Sequence, residues 1–580
     1  DPAAGRTHLR LSRTDPMGLV TGYAYDAAGN LTDVTLPSGR TLQTLDHTAY
    51  GQPKRLKDAD GNWTLYRYDA AGTLTDALRL RAGVVPVADS RPATADLVAW
   101  TQYQADSVGN PVKTRRLRDW TGAVLGNPTS GVGPSLETAW DASRLNVVSL
   151  TRRGDLDGTP ASLEVETYAD FAHDSLGRTT RAPDGAWYPA DTQYDPLDRP
   201  LKAADGRGHT WDLGFDANGN PVYRGLTVAG VYLDGDYALP DDLDRVVRRI
   251  DYAGHATLTA YDPLGQVSQV TAADGDTLAF ERDPLGRITG ATDQAGHRVG
   301  LTRDASGRPR RVTDPNGLTT QHDYHHAAAD GRLKTTTLPK VAGQASGRKT
   351  EIAAYDGHGR PTRINSLAAD GSVRDTFRFH DELGRLTRAV GPPVSATDPT
   401  RPVTCVVYTP LGDVKELWAG ATTDTTSRTC TLDGVAIRKQ LSRTFDDFGR
   451  PLTETDALGN TWTWTWNRHH ELVASQTPAQ AQAGQSTTYA YGAAGVSGEV
   501  QGHLKTRTVP GATGQRVVYT RNPLGQVTRV ETWNGAGGLV NATATAYDAA
   551  HRPASVTDSR GLKTLAYTWT PGGRLAQVQG

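Results

Sequence analysis

The 580-residue chain holds one methionine, two cysteines and seven phenylalanines. The methionine is Met17, and the chain opens Asp1-Pro2-Ala3-Ala4-Gly5. That start has neither an initiator nor the basic-then-apolar profile of a signal peptide, so the chain reads as an excised or processed piece of a longer polypeptide. Two cysteines do not make a disulfide scaffold. Cys405 and Cys430 lie in no Cys-x-x-Cys pair, which argues against a zinc site. Twenty-five residues apart, they are either a cross-strand disulfide or two buried thiols. No run of about 18 apolar residues occurs, which excludes a transmembrane helix. Neither sign of charge is in excess, with 62 basic against 64 acidic residues. A balanced chain has no long-range field for nucleic acid or an acidic membrane. Long like-charge runs, the mark of disordered tails, are absent. With 22 Tyr and 12 Trp, most large apolar side chains carry a polar handle. At 37% hydrophobic residues this is not the composition of several dense Leu/Ile cores.

Turn formers, in contrast, are plentiful: 62 Gly and 33 Pro. Many fall in one recurring unit, aromatic-Asp, two residues, Gly, a polar residue, then an apolar one. Good copies are Tyr25-Asp26-Ala-Ala-Gly29, Tyr68-Asp69-Ala-Ala-Gly72, Tyr261-Asp262-Pro-Leu-Gly265, Tyr355-Asp356-Gly-His-Gly359 and Phe445-Asp446-Asp-Phe-Gly449. Looser copies are Tyr194-Asp195, Phe215-Asp216-Ala-Asn-Gly219, Arg282-Asp283-Pro-Leu-Gly286 and Tyr547-Asp548. Asp174, Asp195 and Asp216 are 21 residues apart, as are Asp241, Asp262, Asp283 and Asp304. His325 and Asn467 hold the same position in degenerate copies. Longer gaps mark insertions. Chance aromatic-Asp pairs would not keep one period, so the chain is a repeat array, read as one continuous array over residues 1–580.

A second turn signal falls between these units: Asp60-Gly61, Asp205-Gly206, Asp274-Gly275, Asp314-Pro-Asn-Gly317, Asp456-Ala-Leu-Gly459 and Asp558-Ser-Arg-Gly561. Asp caps its own backbone and Gly accepts positive φ. Each period therefore holds two turns and two strands of six or seven residues, one β-hairpin. The segments between turns alternate with period two, as in Thr461-Trp462-Thr463-Trp464-Thr465-Trp466. The stretch 80–100 is the one place where a short helix is expected. A single row of some fifty strands cannot stay open and flat. It must curl on itself and enclose space.

Aromatic-Asp-x-x-Gly-Arg/Asn-apolar at 21 residues resembles the tyrosine-aspartate (YD) repeat of the Rhs family, over residues 15 to 580. The resemblance implies an all-β fold, with YD-repeat β-hairpins in one long antiparallel sheet spiralling into a hollow shell, or β-cocoon. It implies that the shell encapsulates a C-terminal cytotoxic domain for delivery to target cells in bacterial competition, by type VI secretion in this reading. Partners implied are that toxin domain, a secretion spike protein and a chaperone. Assembly would be cytoplasmic, with secretion or injection afterwards. Two alternatives stay open: the C-component shell of an insecticidal Tc toxin, and a cell-surface YD-repeat adhesin that binds carbohydrate. Rhs toxins end their core in an Asp-Pro-x-Gly segment with aspartate-dependent self-cleavage. Asp15-Pro16-Met17-Gly18-Leu19 fits superficially, but Asp314-Pro315-Asn316-Gly317-Leu318 is nearly the same mid-array, so both read as inter-repeat turns. The chain closes on an ordinary repeat, Trp569 to Arg574, and reads as lacking self-cleavage site and cargo.

No enzyme motif emerges, so the chain is expected to be non-enzymatic, with no cofactor and no metal. His469-His470-Glu471 lacks the second His of a zinc-protease helix and reads as a solvated turn, as does His325-His326. Gly535-Ala536-Gly537-Gly538 lacks the Lys of a phosphate loop. The Asp of each unit is read as a turn cap rather than a calcium ligand. The Arg or Asn after each Gly is expected to pair with an Asp of the next hairpin.

Overall fold

A computed structural model describes residues 9–127, 130–155, 164–183, 188–228, 231–340, 347–367, 372–395, 397–430, 436–493, 496, 499–511, 514–558 and 564–580. The Ser559-Arg560-Gly561 part of the last Asp-x-x-Gly turn lies outside these residues.

Among the described residues, forty-six strands run from Ser12–Thr14 to Leu575–Gln579, almost all of five to nine residues. All the paired strands are antiparallel neighbours in sequence, which follows from turns too short to permit a crossover. Two long sheets result where one was expected. The first twelve strands, through Glu164–Tyr168, form one, and the thirty-four from Ala172–His173 onwards form the other. The ladder lapses where the repeat is degenerate. The strand Ala172–His173 has only two residues, and its register shifts between them.

A bulge recurs at one repeat position, immediately before the aromatic residue. It lies between Ala24 and Tyr25, Arg67 and Tyr68, Gly214 and Phe215, Ala260 and Tyr261, Thr444 and Phe445, and Ala546 and Tyr547. A bulge adds twist and re-aims the next side chain. The aromatic ring is thereby turned along the sheet instead of straight out of it.

The helix expected in 80–100 does not form. A strand runs to Leu80, a three-residue 3-10 turn spans Thr94–Asp96, and the next strand begins at Leu97. Leu78, Leu80, Leu97 and Trp100 are all buried, at strand spacing in the first pair, and Pro86 and Pro92 interrupt any helix between them. The α-helix Pro478–Gln482 is one short turn, closed by a capping box from Thr477 and Gln480.

The chain divides into two compact units. The first comprises residues 1–138, 151–165 and 299–460. It has an apolar core of Trp63, Leu65, Leu78, Leu80, Leu97, Trp100 and Leu117. The fully buried Asp76 there has its partners. The indole of Trp100 donates to Asp76 at 2.8 Å, and the Gly126 amide donates to the same carboxylate at 2.7 Å. A second cluster of Val390, Val403, Cys405 and Ile437 packs against Phe377, Phe379 and Trp418. The second unit comprises residues 139–150, 166–298 and 461–580. Its buried apolar side chains are scattered along the strands: Tyr168, Tyr188, Ala238, Val500 and Ala542.

Candidate functional site

The repeat motif builds its own turn. Asp262 shows the plan: its Oδ1 accepts from the amides of Leu264 and Gln266, both at 2.9 Å, and its carbonyl accepts from the Gly265 amide at 2.9 Å. Gly265 sits at φ +78°, where a Cβ would be strained. Asp26, Asp69, Asp195, Asp216, Asp283, Asp356, Asp446 and Asp548 cap their turns through the same amides. Both Asp15 and Asp314 make this turn as well.

The residue after the glycine was expected to reach the next hairpin's Asp. Its main partner is its own Asp, while Arg178 and Asn220 also reach the next hairpin, to Asp198 and Asp244, both at 2.7 Å. Arg287 donates from Nε to Asp283, Arg308 to Asp304 and Arg385 to Asp381, each at 2.7 Å. The five-residue turn brings the two side chains together with little loss of freedom. The guanidinium then lies over the next repeat's ring: Arg199 is 4.6 Å from the centroid of Phe215, Arg245 4.7 Å from Tyr261 and Arg308 4.2 Å from Tyr324. The ring in turn reaches back. The hydroxyls of Tyr25, Tyr68, Tyr261, Tyr355 and Tyr547 donate to the carbonyls of Arg10, Pro53, Val246, Leu333 and Val527. Tyr194 does the same to Thr179. Arg forwards and Tyr backwards lock each hairpin to its neighbour along one rim of the sheet. Asp241 is held down to about 2, first by the guanidinium of Arg245 and then by turn amides, against the effect of burial.

The opposite rim carries the second set of turns, and here the sequence reading needs correcting. Asp58, not Asp60, caps the 58–62 turn, accepting from the amides of Asp60 and Asn62. Asp60 points away, to the turn at 356–360. It accepts from the Gly357 amide, from His358 Nδ1 at 2.7 Å and from Arg360 at 3.4 Å. Other contacts of the first unit keep this offset. The Ser38 amide donates to Asp330 at 2.8 Å, the Ala82 amide to Glu382 at 2.8 Å and the Asp155 amide to Asp447 at 2.8 Å. Their separations are 292, 300 and 292 residues. Burial pushes the Asp447 carboxyl up, and the neighbouring Asp155 adds to this, against the pull of the Asp155 amide and Arg118.

The second unit repeats the arrangement within itself. Thr570 and Arg574 both reach Asp274 at 3.1 Å, across 296 and 300 residues. Tyr188 stacks on His469 at 4.1 Å and donates to Glu471 at 3.0 Å, 283 residues away. The His469-His470-Glu471 turn is therefore not solvated, as expected above, but packed under an aromatic ring. His325 is likewise engaged, with Nε2 2.8 Å from the carbonyl of Ile352, while His326 is exposed. Nothing local marks these partners. The signals that would have found them are an Asp in the third turn position (Asp60, Asp274) and a ring or imidazole in the other rim's turns.

Asp60, Asp356 and His358 bring three potential metal ligands within 4.8 Å of one another. Each already has a partner: Asp356 takes Arg360 Nε at 2.6 Å, and Asp60 takes His358 and Arg360. With Arg360 between the two carboxylates, the donor set suits an ion-pair network better than a cation. Cys405 and Cys430 are joined as a disulfide, with Cα atoms 6.3 Å apart. It forms part of the wall of a cavity of about 500 Å³ in the first unit, together with Trp120, Tyr408, Arg81 and Arg385.

Four segments, residues 6–41, 261–299, 303–340 and 445–482, match the RHS Repeat family. No curated protein matches. Among solved structures, TcdB2-TccC3 without its hypervariable C-terminal region superposes with a TM-score of 0.58 at 12% identity, covering 96% of this chain and 35% of that one. A TcdB2-TccC3-TEV structure gives 0.57 at 14%, with 97% and 34% coverage. A Tc holotoxin pore of Photorhabdus luminescens gives 0.51 at 14%, with 97% and 34%. The chain thus spans about a third of the length of the structures it matches, and shares their fold.

Proposed function

We propose that this chain, an array of RHS-repeat hairpins with the fold of the TcdB2-TccC3 structures, is a section of the wall of a container for a toxic polypeptide. The observation that carries the reading is the offset between rims. In each unit, the turns of one rim meet the turns of the other 283 to 300 residues later. A strip of hairpins meets its own opposite rim at a fixed offset when it is wound like a ribbon. Twenty-four strands separate Asp60 from His358, seven in the first sheet and seventeen in the second.

On this reading the wall is structural and contributes no catalytic residue. Its repeat aspartates, such as Asp195, Asp262 and Asp283, are engaged as turn caps. The cargo is a cytotoxic domain in the longer polypeptide, shielded from the producing cell until delivery. The likeness to Tc toxin structures favours a Tc-type assembly over a type VI spike as the delivery machine, and secretion follows assembly in the cytoplasm. The test is small-angle X-ray scattering of the 580-residue chain. A radius of gyration well above the about 25 Å of a solid chain this long, with the scattering minimum of a hollow body, is expected. A value at 25 Å without that minimum overturns the proposal.

A further inference from the structure

Two cavities of the first unit adjoin. The larger, of about 500 Å³, and a smaller one of about 270 Å³ share His380, Asp381 and Arg428 in their walls. The larger is within the size range of small-molecule sites. Its walls come from segments far apart in the chain, joined where the Ala82 amide donates to Glu382 across 300 residues. Leu97, Trp120, Val406 and Tyr408 give it an apolar surface.

Positive charge collects where the cavities meet. Arg428 lines both and Arg378 the smaller, and neither guanidinium has a carboxylate partner among the described residues. The nearby carboxylates are taken: Asp356 by Arg360 at 2.6 Å and Asp381 by Arg385 at 2.7 Å. The His380 side chain is 12% exposed, and its Nδ1 is buried without a hydrogen bond, 3.7 Å from Asp356. A buried polar atom left without a partner calls for an explanation. Burial first, then the charge of Arg360, lowers the His380 pKa against the pull of Asp356. The junction therefore disfavours a further cation and favours an anion.

Arg428 is held from both flanks. Two residues on, Cys430 is bonded to Cys405. One residue back, the Ser427 carbonyl accepts from the buried Arg388, which also donates to the Asp424 carbonyl at 2.7 Å. A guanidinium fixed in place yet unpaired is preorganised for a ligand.

We infer that the adjoining cavities form one site for a small organic anion, a carboxylate or phosphate monoester carried on an apolar body. The head lies between Arg378, His380 and Arg428, and the body against Leu97, Trp120 and Val406. The inference does not rest on the container reading.

Isothermal titration calorimetry of the 580-residue chain with octanoate, octyl phosphate, octanol and octyltrimethylammonium, all below micelle formation, separates head from body. Both anions should bind, and the alcohol and the cation should bind about tenfold more weakly or worse. The ratio of octanoate to octyl phosphate affinity tells which head the site takes. Arg378→Gln and Arg428→Gln should each weaken the tighter anion about tenfold, the loss of one charge-assisted contact. Both side chains are exposed, so circular dichroism and melting temperature should stay unchanged. If neither anion binds, the inference is overturned. Octanol or the cation binding as tightly as the anions also overturns it, since the cavity would then select only for apolar bulk. An anion affinity unchanged in the two arginine variants does so too.

Discussion

Asp60 and His358 are 298 residues apart in the chain, and the carboxylate lies 2.7 Å from the imidazole Nδ1. The pair ties a turn of the first sheet to a turn of the second, and Arg360 joins the same carboxylate at 3.4 Å.

The first prediction concerns this pair. Asp60→Asn and His358→Gln should each destabilise the first unit, and the double variant should lose less than the sum. A coupling of about 1–2 kcal/mol is expected for a charge-assisted, partly buried contact. A double-mutant cycle in urea measures it, and a coupling near zero would show that the rims are merely adjacent.

The second concerns the repeat tyrosine. Tyr261 packs under Arg245 and donates to the Val246 carbonyl at 2.9 Å. Tyr261→Ala should cost about 2–4 kcal/mol through lost packing, and Tyr261→Phe about 1 kcal/mol through the lost hydrogen bond. An unchanged denaturation midpoint in the alanine variant would remove the packing role.

The third is the response to acid. Arg245 and the turn amides hold Asp241 down at about 2, and Asp283, Asp356 and Asp548 are lowered too, where amides and the paired arginine outweigh burial. A carboxyl with a lowered folded pKa stabilises above its unfolded value of about 3.8 and loses that contribution as pH falls through the folded value. Asp447, raised by burial, works in the opposite sense, but it is outnumbered. Thermal melts should fall steeply below about pH 4. A melting temperature undiminished at pH 3 would contradict the capping role.

The fourth is the disulfide. Cys405 sits in a strand and Cys430 in the loop beyond the next strand, closing 25 residues. Cys430→Ser should lower the stability of the first unit by about 3 kcal/mol on the loop-entropy argument. The unaltered, unreduced chain should show no free thiol in denaturant. Two titratable thiols would mean that the bond does not form.

What the sequence disclosed was whatever chemistry is local. The Asp262 to Gly265 turn needs only residues within five positions, so its period, its hairpins and the Asp cap were all legible. Arg287, after Gly286, was expected on the next hairpin's Asp, but two aspartates lie within its reach and the turn's curvature brings it to Asp283. The 80–100 stretch misled because its leucines mark a core, and core residues at strand spacing look helical when a long loop separates them. The contact of Asp60 with His358 was invisible: a carboxylate beside Gly61 looks like any turn cap, and its partner is half the chain away. The rims are read from tertiary spacing, which no local pattern records.

The constant separation between rims also sets a clock. Strands pair with their sequence neighbours, so the sheet extends as the chain leaves the ribosome. Asp60 must wait for His358. At roughly 5–20 residues per second of synthesis, that wait is about 15–60 s. For that interval the first hairpins exist as an open ribbon with one uncovered edge of turns. Whatever must be kept off that edge has to be kept off it for about 15–60 s.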